Sequence, residues 1–475
     1  MRSLITACML TGAATCFAGE RPNIVIILVD DMGYGDASCY NAASKIPTPA
    51  IDSLAEDGMR FMDAHASGPL CHLSRYGLMT GRYPFRTNVG RWRKQPTIED
   101  HQPTLPGMLK AAGYQTAMVG KWHLGFAENG YDKPLPGGPV DRGFSSYFGI
   151  RASTDIPPYF YIRNNRVVEA PSDFIEANAS PGWSPIQGAF WREGGIAPNL
   201  KLKDVLPRFT QEAISVIDQH AASGSETPLM LYLAYPAPHT PWLPSKKFRG
   251  QSGAGMYGDF AMEVDDNIGQ VLDALERHQM TEDTLVLFSS DNGPVWYDSD
   301  VERLQHDSSG GLRGMKSDAW EGGHRMPFIV RWPRIVEPGS QSQQLVSFVD
   351  VFATVADLCE LPLADDAAPD SFSFLPALRA EAGSPRTELA LQSGGGLMTF
   401  RSGSIKLIAG LGSGGFSTPR KVKPKPGQAT GQLFDLAKDL GETRNIYGDR
   451  VEQVTTLTRR MQQVRKASGH RFLKP

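Results

Sequence analysis

The sequence has few cysteines, no excess of charge of either sign, and no uncharged run beyond its first residues that could cross a membrane. Its 475 residues include five cysteines, and 48 basic side chains nearly balance 51 acidic ones, for a formal net charge of −3. Five cysteines in a chain of this length exclude a disulfide framework. The charge balance excludes a strongly basic nucleic-acid-binding protein, and the missing apolar run excludes an integral membrane segment. A hydrophobic content of 41% predicts a large folded core.

The first residues have the pattern of a secretory signal. One basic residue, Arg2, precedes an apolar stretch at 4–17, and the small residues Ala18 and Gly19 follow. This pattern predicts a signal at 1–18 that is removed from an exported protein, periplasmic or extracellular. Its removal takes two cysteines away and leaves Cys39, Cys71 and Cys359. We expect Cys39 and Cys359 to be structural.

Apolar runs of strand length alternate with stretches of helical periodicity. The strand-like runs lie at 23–29, 115–119, 229–234 and 284–289, and helix-like stretches include 49–61, 203–221 and 260–278. This alternation predicts an α/β fold, and strands with little polar alternation suit a parallel sheet that is buried on both faces. In such sheets ligands bind beyond the carboxyl ends of the strands, and all four runs end in acidic, lysine or histidine residues.

The pattern changes near residue 380. Short β-like segments, Gly-rich turns and a basic loop at 420–426 precede a final helical stretch at about 450–467. We therefore predict a large domain at 19–380 and a smaller α+β subdomain with an antiparallel sheet at 381–475. Within the large domain, residues 126–200 are irregular and rich in Pro, Gly and aromatic residues, as functional loops often are.

Two pairs of oxygen-bearing side chains follow strand-like runs. Asp30 and Asp31 end the first run, and Asp291 and Asn292 end the fourth. Oxygen donors of this kind suit a hard divalent cation such as calcium or magnesium, and not zinc. An isolated Asp pair also commonly caps a turn, so the metal interpretation depends on the two pairs meeting.

A second group of candidate residues is cationic, and its members are Arg75, Lys121, His123, His239 and Lys316. Each alone is most simply a structural or solvated residue. Gathered around a metal, they would stabilise an anion whose charge is spread over several oxygens, as in a sulfate or phosphate ester.

The segment at 71–75 (CHLSR), followed at 80–82 by TGR, connects these groups. It resembles the Cys-x-Pro-Ser-Arg and Thr-Gly-Arg patterns of the type I, formylglycine-dependent sulfatases of the alkaline-phosphatase superfamily. Further segments resemble that family in the same order, at 23–36, 48–61, 120–125, 238–241, 291–293, 313–323 and 433–446. The chain is most similar to secreted bacterial carbohydrate sulfatases. The resemblance implies a large, mostly parallel mixed sheet between helices, with a smaller C-terminal antiparallel sheet.

The resemblance also implies two cofactors. Cys71 would be oxidised to formylglycine by a formylglycine-generating or sulfatase-maturing enzyme, and the hydrated aldehyde would attack sulfur. A calcium ion, preferred to magnesium, would be held by Asp30, Asp31, Asp291 and Asn292 together with the oxygen made at Cys71.

The remaining roles follow from the same resemblance. Lys121, Lys316 and Arg75 would offset negative charge, His239 would protonate the leaving oxygen, with Lys316 as a second candidate, and His123 would act as the base. Substrate contacts to a sulfated glycan are expected from Lys121, His239, Lys316, His306, Arg151 and Asp155.

The sequence departs from the family pattern at Leu73, where the family has Pro, or less often Ala, a position that maturation enzymes read. Three interpretations therefore stay open. The first is a sulfuric ester hydrolase acting on a sulfated carbohydrate, polysaccharide or oligosaccharide. The second is a phosphodiester or phosphonate hydrolase on the same scaffold, and the third is a non-catalytic glycan-binding homologue.

Overall fold

The computed structural model describes residues 21–473, so the predicted secretory signal at 1–18 lies outside the described residues. In chain order the strands are β1 (Asn23–Asp30), β2 (Met59–Phe61), β3 (Ala64–His65), β4 (Gln115–Lys121), β5 (Ser146–Ile150), β6 (Ile162–Arg163), β7 (Arg166–Val167), β8 (Asp173–Ile175), β9 (Gly194–Ile196), β10 (Leu229–Pro238), β11 (Thr284–Ser290), β12 (Phe328–Arg331), β13 (Ser340–Ser342), β14 (Val346–Ser347), β15 (Glu388–Gln392), β16 (Met398–Ser402), β17 (Ile405–Ile408) and β18 (Gln432–Asp435).

The α-helices are α1 (Pro49–Glu56), α2 (Cys71–Thr80), α3 (Leu105–Ala111), α4 (Val205–Ala222), α5 (Gly255–Arg277), α6 (Asp298–Leu304), α7 (Asp350–Leu358), α8 (Leu375–Leu378) and α9 (Val451–Lys466). Short 3₁₀ turns lie at Pro84–Arg86, Val89–Arg93, Pro139–Arg142, Leu202–Asp204, Glu321–Gly323 and His470–Phe472. Among the described residues, no helix is long and apolar enough to span a bilayer.

Ten strands form one mixed sheet in the order β13-β2-β12-β11-β1-β10-β4-β5-β6-β7. The five central strands from β11 to β5 are parallel, whereas β12 and β6 join their inner neighbours antiparallel. The predicted α/β class with a large, mostly parallel mixed sheet is therefore confirmed. Because the four predicted strands are adjacent and parallel, their carboxyl ends lie at one edge of the sheet.

The sheet is buried because its central strands are apolar on both faces. Every residue of β10 and β11 is buried, and the helices α4 and α5 pack on β10 while α3 packs on β4. Burial of both faces removes water from the strand ends as well, so polar side chains placed there must be satisfied by one another or by a ligand.

The helix predicted over 49–61 is wrong at its C-terminal end, because α1 stops at Glu56 and residues 59–61 form β2. Between them Gly58 passes close to β12, where an added Cβ would lie 2.6 Å from the carbonyl oxygen of Val330. Tertiary pairing with β12 and β13 therefore overrides the helical periodicity of this segment.

A separate antiparallel sheet in the order β15-β16-β17-β18 lies near the C-terminus, and α9 packs against it. This confirms the predicted smaller antiparallel sheet. The domain limits at 19–380 and 381–475 stay a prediction. Residues 126–200 hold only short strands and turns, including the two-stranded pair of β8 and β9.

Candidate active site

Residues from distant parts of the chain meet at the carboxyl edge of the large sheet. Asp30 ends β1, Lys121 ends β4, His239 follows β10 and Asp291 follows β11. The parallel register explains the meeting, because Leu28 is aligned with Ala234 in β10 and with Ser289 in β11. The first residue of helix α2, Cys71, completes the group.

The two oxygen-bearing pairs lie together. The Asn292 side-chain amide donates to Oδ1 of Asp31 at 2.6 Å, and the backbone N–H of Asp31 lies 3.4 Å from Oδ1 of Asp291. Asp31 has a φ of 65°, a left-handed conformation that Asp tolerates and that turns the chain sharply after β1. Asp30, Asp31, Cys71 and His239 each place one possible ligand atom within 4.8 Å of the others.

This donor set fits a hard cation. The side-chain carbonyl oxygen Oδ1 of Asn292 is buried and has no hydrogen-bond partner among residues 21–473, although the amide nitrogen of the same side chain is bonded. A buried acceptor left in this way calls for a cation or a donor. Together with the three carboxylates it forms an oxygen-rich set of the type that calcium and magnesium prefer.

Helix α2 presents Cys71 and Arg75 on one face, since residues four positions apart lie one turn above each other. The helix ends at Gly81, which has a φ of 60° and donates its N–H to Gly77 at 2.8 Å. The Arg75 guanidinium, fully buried, donates to Oδ2 of Asp291 at 2.7 Å and to Oδ2 of Asp30 at 3.2 Å.

Two lysines face the same carboxylates. Lys121 contacts Oδ2 of Asp30, and Lys316 lies 2.6 Å from Oδ1 of Asp31. Burial disfavours the charged form of Lys316, but the negative charges of Asp31 and of the other acidic groups around it together outweigh burial and raise the pKa of this lysine. Burial alone would raise the pKa of Asp30. The charges of Lys121 and the other cationic groups outweigh burial and hold this pKa well below its usual range. Both lysines therefore remain cationic at neutral pH.

The Cys71 thiol lies against the acidic group, with Sγ 3.3 Å from Oδ1 of Asp30. Burial, together with the charges of Asp291 and Asp30, raises the pKa of this thiol well above its ordinary value. An unmodified Cys71 is therefore protonated at neutral pH and a poor nucleophile. All three described cysteines are free, and Cys359 is buried at 3.2 Å from the Tyr114 hydroxyl.

The two active-site histidines differ in their surroundings. Nδ1 of His239 lies 2.8 Å from the carbonyl oxygen of Thr240, so it carries a hydrogen, and Nε2 faces Oδ2 of Asp31 at 3.7 Å. His123 is buried with no partner for either ring nitrogen, and its ring packs edge-on against Trp92. Burial and the charge of Lys121 hold the pKa of His123 well below its ordinary value, which keeps this ring neutral.

The three remaining predicted substrate residues lie in different places. Asp155 is buried, its Oδ1 has no hydrogen-bond partner, and that oxygen lies 3.9 Å from Nδ1 of His239. Arg151 pairs with Glu128 at 2.6 Å. His306 is buried and engaged on both ring nitrogens, by Oδ1 of Asp36 at 2.8 Å and by the backbone N–H of Lys45 at 3.3 Å. Its placement gives no support to a direct substrate contact.

Sequence reasoning missed Arg192, which donates to Oδ2 of Asp155 at 2.5 Å from the irregular region. No local periodicity or motif marks this arginine, and only the folded loop brings it to Asp155. The 48% exposure of its side chain leaves part of the guanidinium open to a ligand.

An acidic group that could hold a hard cation, flanked by buried cations and by Cys71 at the start of a helix, is the arrangement expected of a hydrolase that acts on anionic esters. The sulfatase family model matches residues 22–361 of this chain. The chain therefore belongs to the sulfatase family and is a sulfuric ester hydrolase.

Relatives and solved structures agree with this assignment. The chain is 34% identical to an N-acetylgalactosamine-6-O-sulfatase of Bacteroides thetaiotaomicron, over 94% of this chain and 93% of that protein. It is 33% identical to the human N-acetylgalactosamine-6-sulfatase over 77% of this chain and 67% of that protein. A solved structure described under glycosaminoglycan metabolism by Bacteroides thetaiotaomicron superposes with a TM-score of 0.84 at 33% identity, covering 94% of this chain and all of that chain.

Proposed function

We propose that this protein removes sulfate from a sulfated carbohydrate, using a formylglycine made from Cys71 and a bound Ca²⁺. The observation that carries the proposal is that Cys71 lies within one cluster with Asp30, Asp31 and His239, at the edge where Lys121 and Lys316 also converge. A buried, protonated thiol has no evident use at such a site, whereas an oxygen nucleophile made from it does.

The residues that would hold the metal are Asp30, Asp31, Asp291 and Asn292. When bound, Ca²⁺ would offset negative charge on the ester oxygens, and formylglycine would supply a hydroxyl in place of the thiol. Hard oxygen donors favour Ca²⁺, with Mg²⁺ as the second choice.

The side chains of this protein then divide the work. Lys121, Lys316 and Arg75 bind and orient the sulfate group, because each stays cationic beside a buried carboxylate. Because Nδ1 of His239 donates to the carbonyl of Thr240, Nε2 is the nitrogen that faces Asp31. In the imidazolium form of His239, Nε2 carries the second hydrogen and delivers it to the leaving oxygen of the sugar, which leaves the ring neutral. The ring of His123 is neutral, and neither of its nitrogens has a hydrogen-bond partner among residues 21–473. His123 is therefore the base that accepts a proton at a ring nitrogen.

The relatives suggest the first substrate to test. Both the bacterial and the human relative are named as N-acetylgalactosamine 6-sulfatases. We therefore propose the 6-sulfate of N-acetylgalactosamine in a glycan as the substrate of this protein. Asp155 and Arg192 would contact the sugar, since Oδ1 of Asp155 lies 3.9 Å from Nδ1 of His239 and the half-exposed Arg192 side chain pairs with the other oxygen of Asp155. We further propose that the protein is exported, to the periplasm or outside the cell.

The test combines chemistry and activity. Protein made in its natural host is digested with trypsin, and mass spectrometry of the peptide at 61–75 measures the fraction of Cys71 converted to the aldehyde. Sulfate release from N-acetylgalactosamine 6-sulfate is measured on the same sample, with Cys71→Ser as the inactive control. We expect conversion and sulfate release together, and loss of both in the control.

Two outcomes would replace the proposal. Full retention of the thiol without sulfate release would favour a non-catalytic glycan-binding homologue. This alternative is open because Leu73 departs from the motif that maturation enzymes read. Faster release of phosphate than of sulfate from matched aryl esters would favour a phosphodiester or phosphonate hydrolase.

A further inference from the structure

We propose that the basic loop at residues 420–426 is a second anion-binding site, which holds a distant sulfate or carboxylate of a long glycan while the terminal sulfate is cleaved. The inference rests on the proposed function, since it extends the substrate from one sulfated sugar to a polyanionic chain. The residues grouped around Cys71 are proposed to bind only the sulfate that is cleaved and the sugar that carries it.

The basic loop carries unusual charge for a protein that is close to neutral. It has four cationic residues within six positions and no acidic one, namely Arg420, Lys421, Lys423 and Lys425. All four are exposed, and none enters an ion pair among residues 21–473. Cations left without a partner on a surface are available to an external anion.

Hydrogen bonds attach the base of this loop to the active-site segment. Gly414 donates its N–H to the carbonyl of Arg420 at 2.9 Å, and Ser413 accepts from the backbone N–H of Ala319 at 2.7 Å. Ala319 is three residues after Lys316, the lysine that pairs with Asp31. The loop is thus fixed to the chain segment that supplies one of the sulfate-binding cations.

A second route leads from the loop to the helix that carries the nucleophile. Gly395 donates to the carbonyl of Gly414 at 2.7 Å, and its neighbour Gly394 donates to Ser317 at 2.8 Å. A Cβ at Gly394 would lie 2.9 Å from Cδ1 of Leu70, the residue before Cys71. Two Gly-rich turns therefore bring the loop close to the site with little bulk between them.

An exposed aromatic side chain adjoins the basic loop in the chain. Phe416 is 39% exposed, and the next residue, Ser417, donates its N–H to Asp318 at 3.1 Å. A single exposed apolar side chain needs no explanation by itself, but Phe416 lies four positions before Arg420 and so adjoins the unpaired cations in the chain. An apolar ring beside unpaired cations is the combination that a sulfated sugar chain fits, because each sugar has an apolar face and carries anionic groups.

A polymer is the occupant that this arrangement favours. A single sugar already finds its cations in the pocket, whereas the loop adds four more outside it. Once one end of a long glycan is bound in the pocket, a second contact on the loop becomes intramolecular, which raises its effective concentration. Surface attraction of this kind is weakened by salt.

The experiment compares short and long substrates. Lys421→Gln, Lys423→Gln and Lys425→Gln are combined in one variant, and KM is measured for a disaccharide and an octasaccharide of N-acetylgalactosamine 6-sulfate-containing chondroitin. At low ionic strength we expect an about tenfold higher KM for the octasaccharide, as three exposed ion pairs would give, and no change for the disaccharide. High salt should remove the difference.

A matched control removes the same charge elsewhere. The control combines Arg459→Gln, Arg465→Gln and Lys466→Gln, three exposed residues on α9, and should behave as the unmodified enzyme. Octasaccharide binding is also measured by calorimetry in the Cys71→Ser background, where turnover is absent. The loop variant should bind about tenfold more weakly than its parent there.

Failure of this proposal is separable from failure of the proposed function. If the disaccharide is not desulfated, the proposed function is wrong whatever the loop does, and calorimetry still tests the loop. Equal octasaccharide binding by the loop variant and the control would overturn the inference. So would a single-stranded nucleic acid of equal charge that displaces the octasaccharide at equal concentration, because the loop would then be a nucleic-acid-binding surface.

Discussion

Nη2 of Arg75 donates to Oδ2 of Asp291 at 2.7 Å, although the two residues are 216 positions apart in the chain. The same nitrogen lies 3.2 Å from Oδ2 of Asp30. All three side chains are fully buried. One guanidinium thus joins the ends of two neighbouring strands and compensates the charge that a metal site requires.

Replacement of Arg75 should destabilise the protein. Arg75→Ala leaves the buried carboxylate of Asp291 without its ion-pair partner and removes one of the two cations that pair with Asp30, and a loss of about 3–5 kcal/mol is expected. Arg75→Lys keeps the charge but not the planar fork, so it should lose less. Thermal unfolding of both variants measures this, with Arg163→Ala as control, since Arg163 makes an exposed pair with Glu212. Equal stability of Arg75→Ala and the control would contradict the argument.

Removal of divalent cations should abolish hydrolysis and lower the unfolding midpoint. A ligand bound only by the native state stabilises it by about 2.7 kcal/mol at 100 times its Kd. We expect Ca²⁺ to restore both properties better than Mg²⁺, and Asp291→Asn to remove most of the response. Asp266→Asn, which breaks an exposed pair with Lys247, is the control. Full activity after exhaustive chelation would show that no cation is needed.

His239 should matter most for poor leaving groups. Since we propose that Nε2 of His239 protonates the leaving oxygen, we expect His239→Gln to reduce kcat for a sugar sulfate by about 10²–10⁴-fold. The effect on an aryl sulfate with an acidic phenol should be much smaller, since that leaving group needs little protonation. Steady-state kinetics with both substrates decides it, and His278→Gln on the far end of α5 is the control. Equal losses on both substrates would point to a binding role.

Leu73 should limit the conversion of Cys71. Leu73 lies in the first turn of α2 and donates its N–H to Leu70 at 2.9 Å. Pro at this position loses that bond at a cost of about 0.5–1.5 kcal/mol, but the first helical turn tolerates it. Mass spectrometry of the peptide at 61–75 should show a larger converted fraction in Leu73→Pro, with Leu73→Met as a control that keeps an apolar side chain of similar size. Equal fractions in the parent and Leu73→Pro would show that the maturation enzyme accepts Leu.

Acid should destabilise the protein through a buried histidine pair that lies between β3 and the C-terminal sheet. Nδ1 of His65 lies 3.0 Å from Nδ1 of His324, and Lys406 from β17 lies 3.3 Å from the other nitrogen of His324. Burial and the charge of Lys406 hold the pKa of His324 well below its ordinary value, and burial lowers the pKa of His65.

The sign of the pH effect follows from these directions. Below about pH 6.5 the unfolded chain takes up protons at both histidines while the folded chain does not, so stability falls as the pH falls. Urea unfolding at about pH 7.5 and about pH 5 should show a smaller loss for His324→Gln than for the parent. His101→Gln, an exposed histidine, should not differ from the parent. An unchanged loss in His324→Gln would show that this histidine does not titrate differently in the two states.

Local pattern was a good guide to the strands and a poor guide to the loops. The apolar runs at 23–29 and 284–289 became β1 and β11 because a continuous apolar segment of that length is stable only between two covered faces. His306, in contrast, lies close in sequence to Lys316, yet it turns into a buried network with Asp36. The helix predicted at 49–61 ends early because residues 59–61 form a strand that pairs with β12.

By itself the sequence determined which chemical groups the protein has to offer: oxygen donors after two strands, cations after others, and a cysteine in a family pattern. Tertiary structure decided which of them meet, because parallel register aligns Leu28 with Ala234 and Ser289 and so sets all the strand ends at one level. It also decided which groups stay free. Among the described residues, Asp155 and Asn292 each keep one buried oxygen without a hydrogen-bond partner, whereas both ring nitrogens of His306 are bonded. Only packing in three dimensions makes that difference.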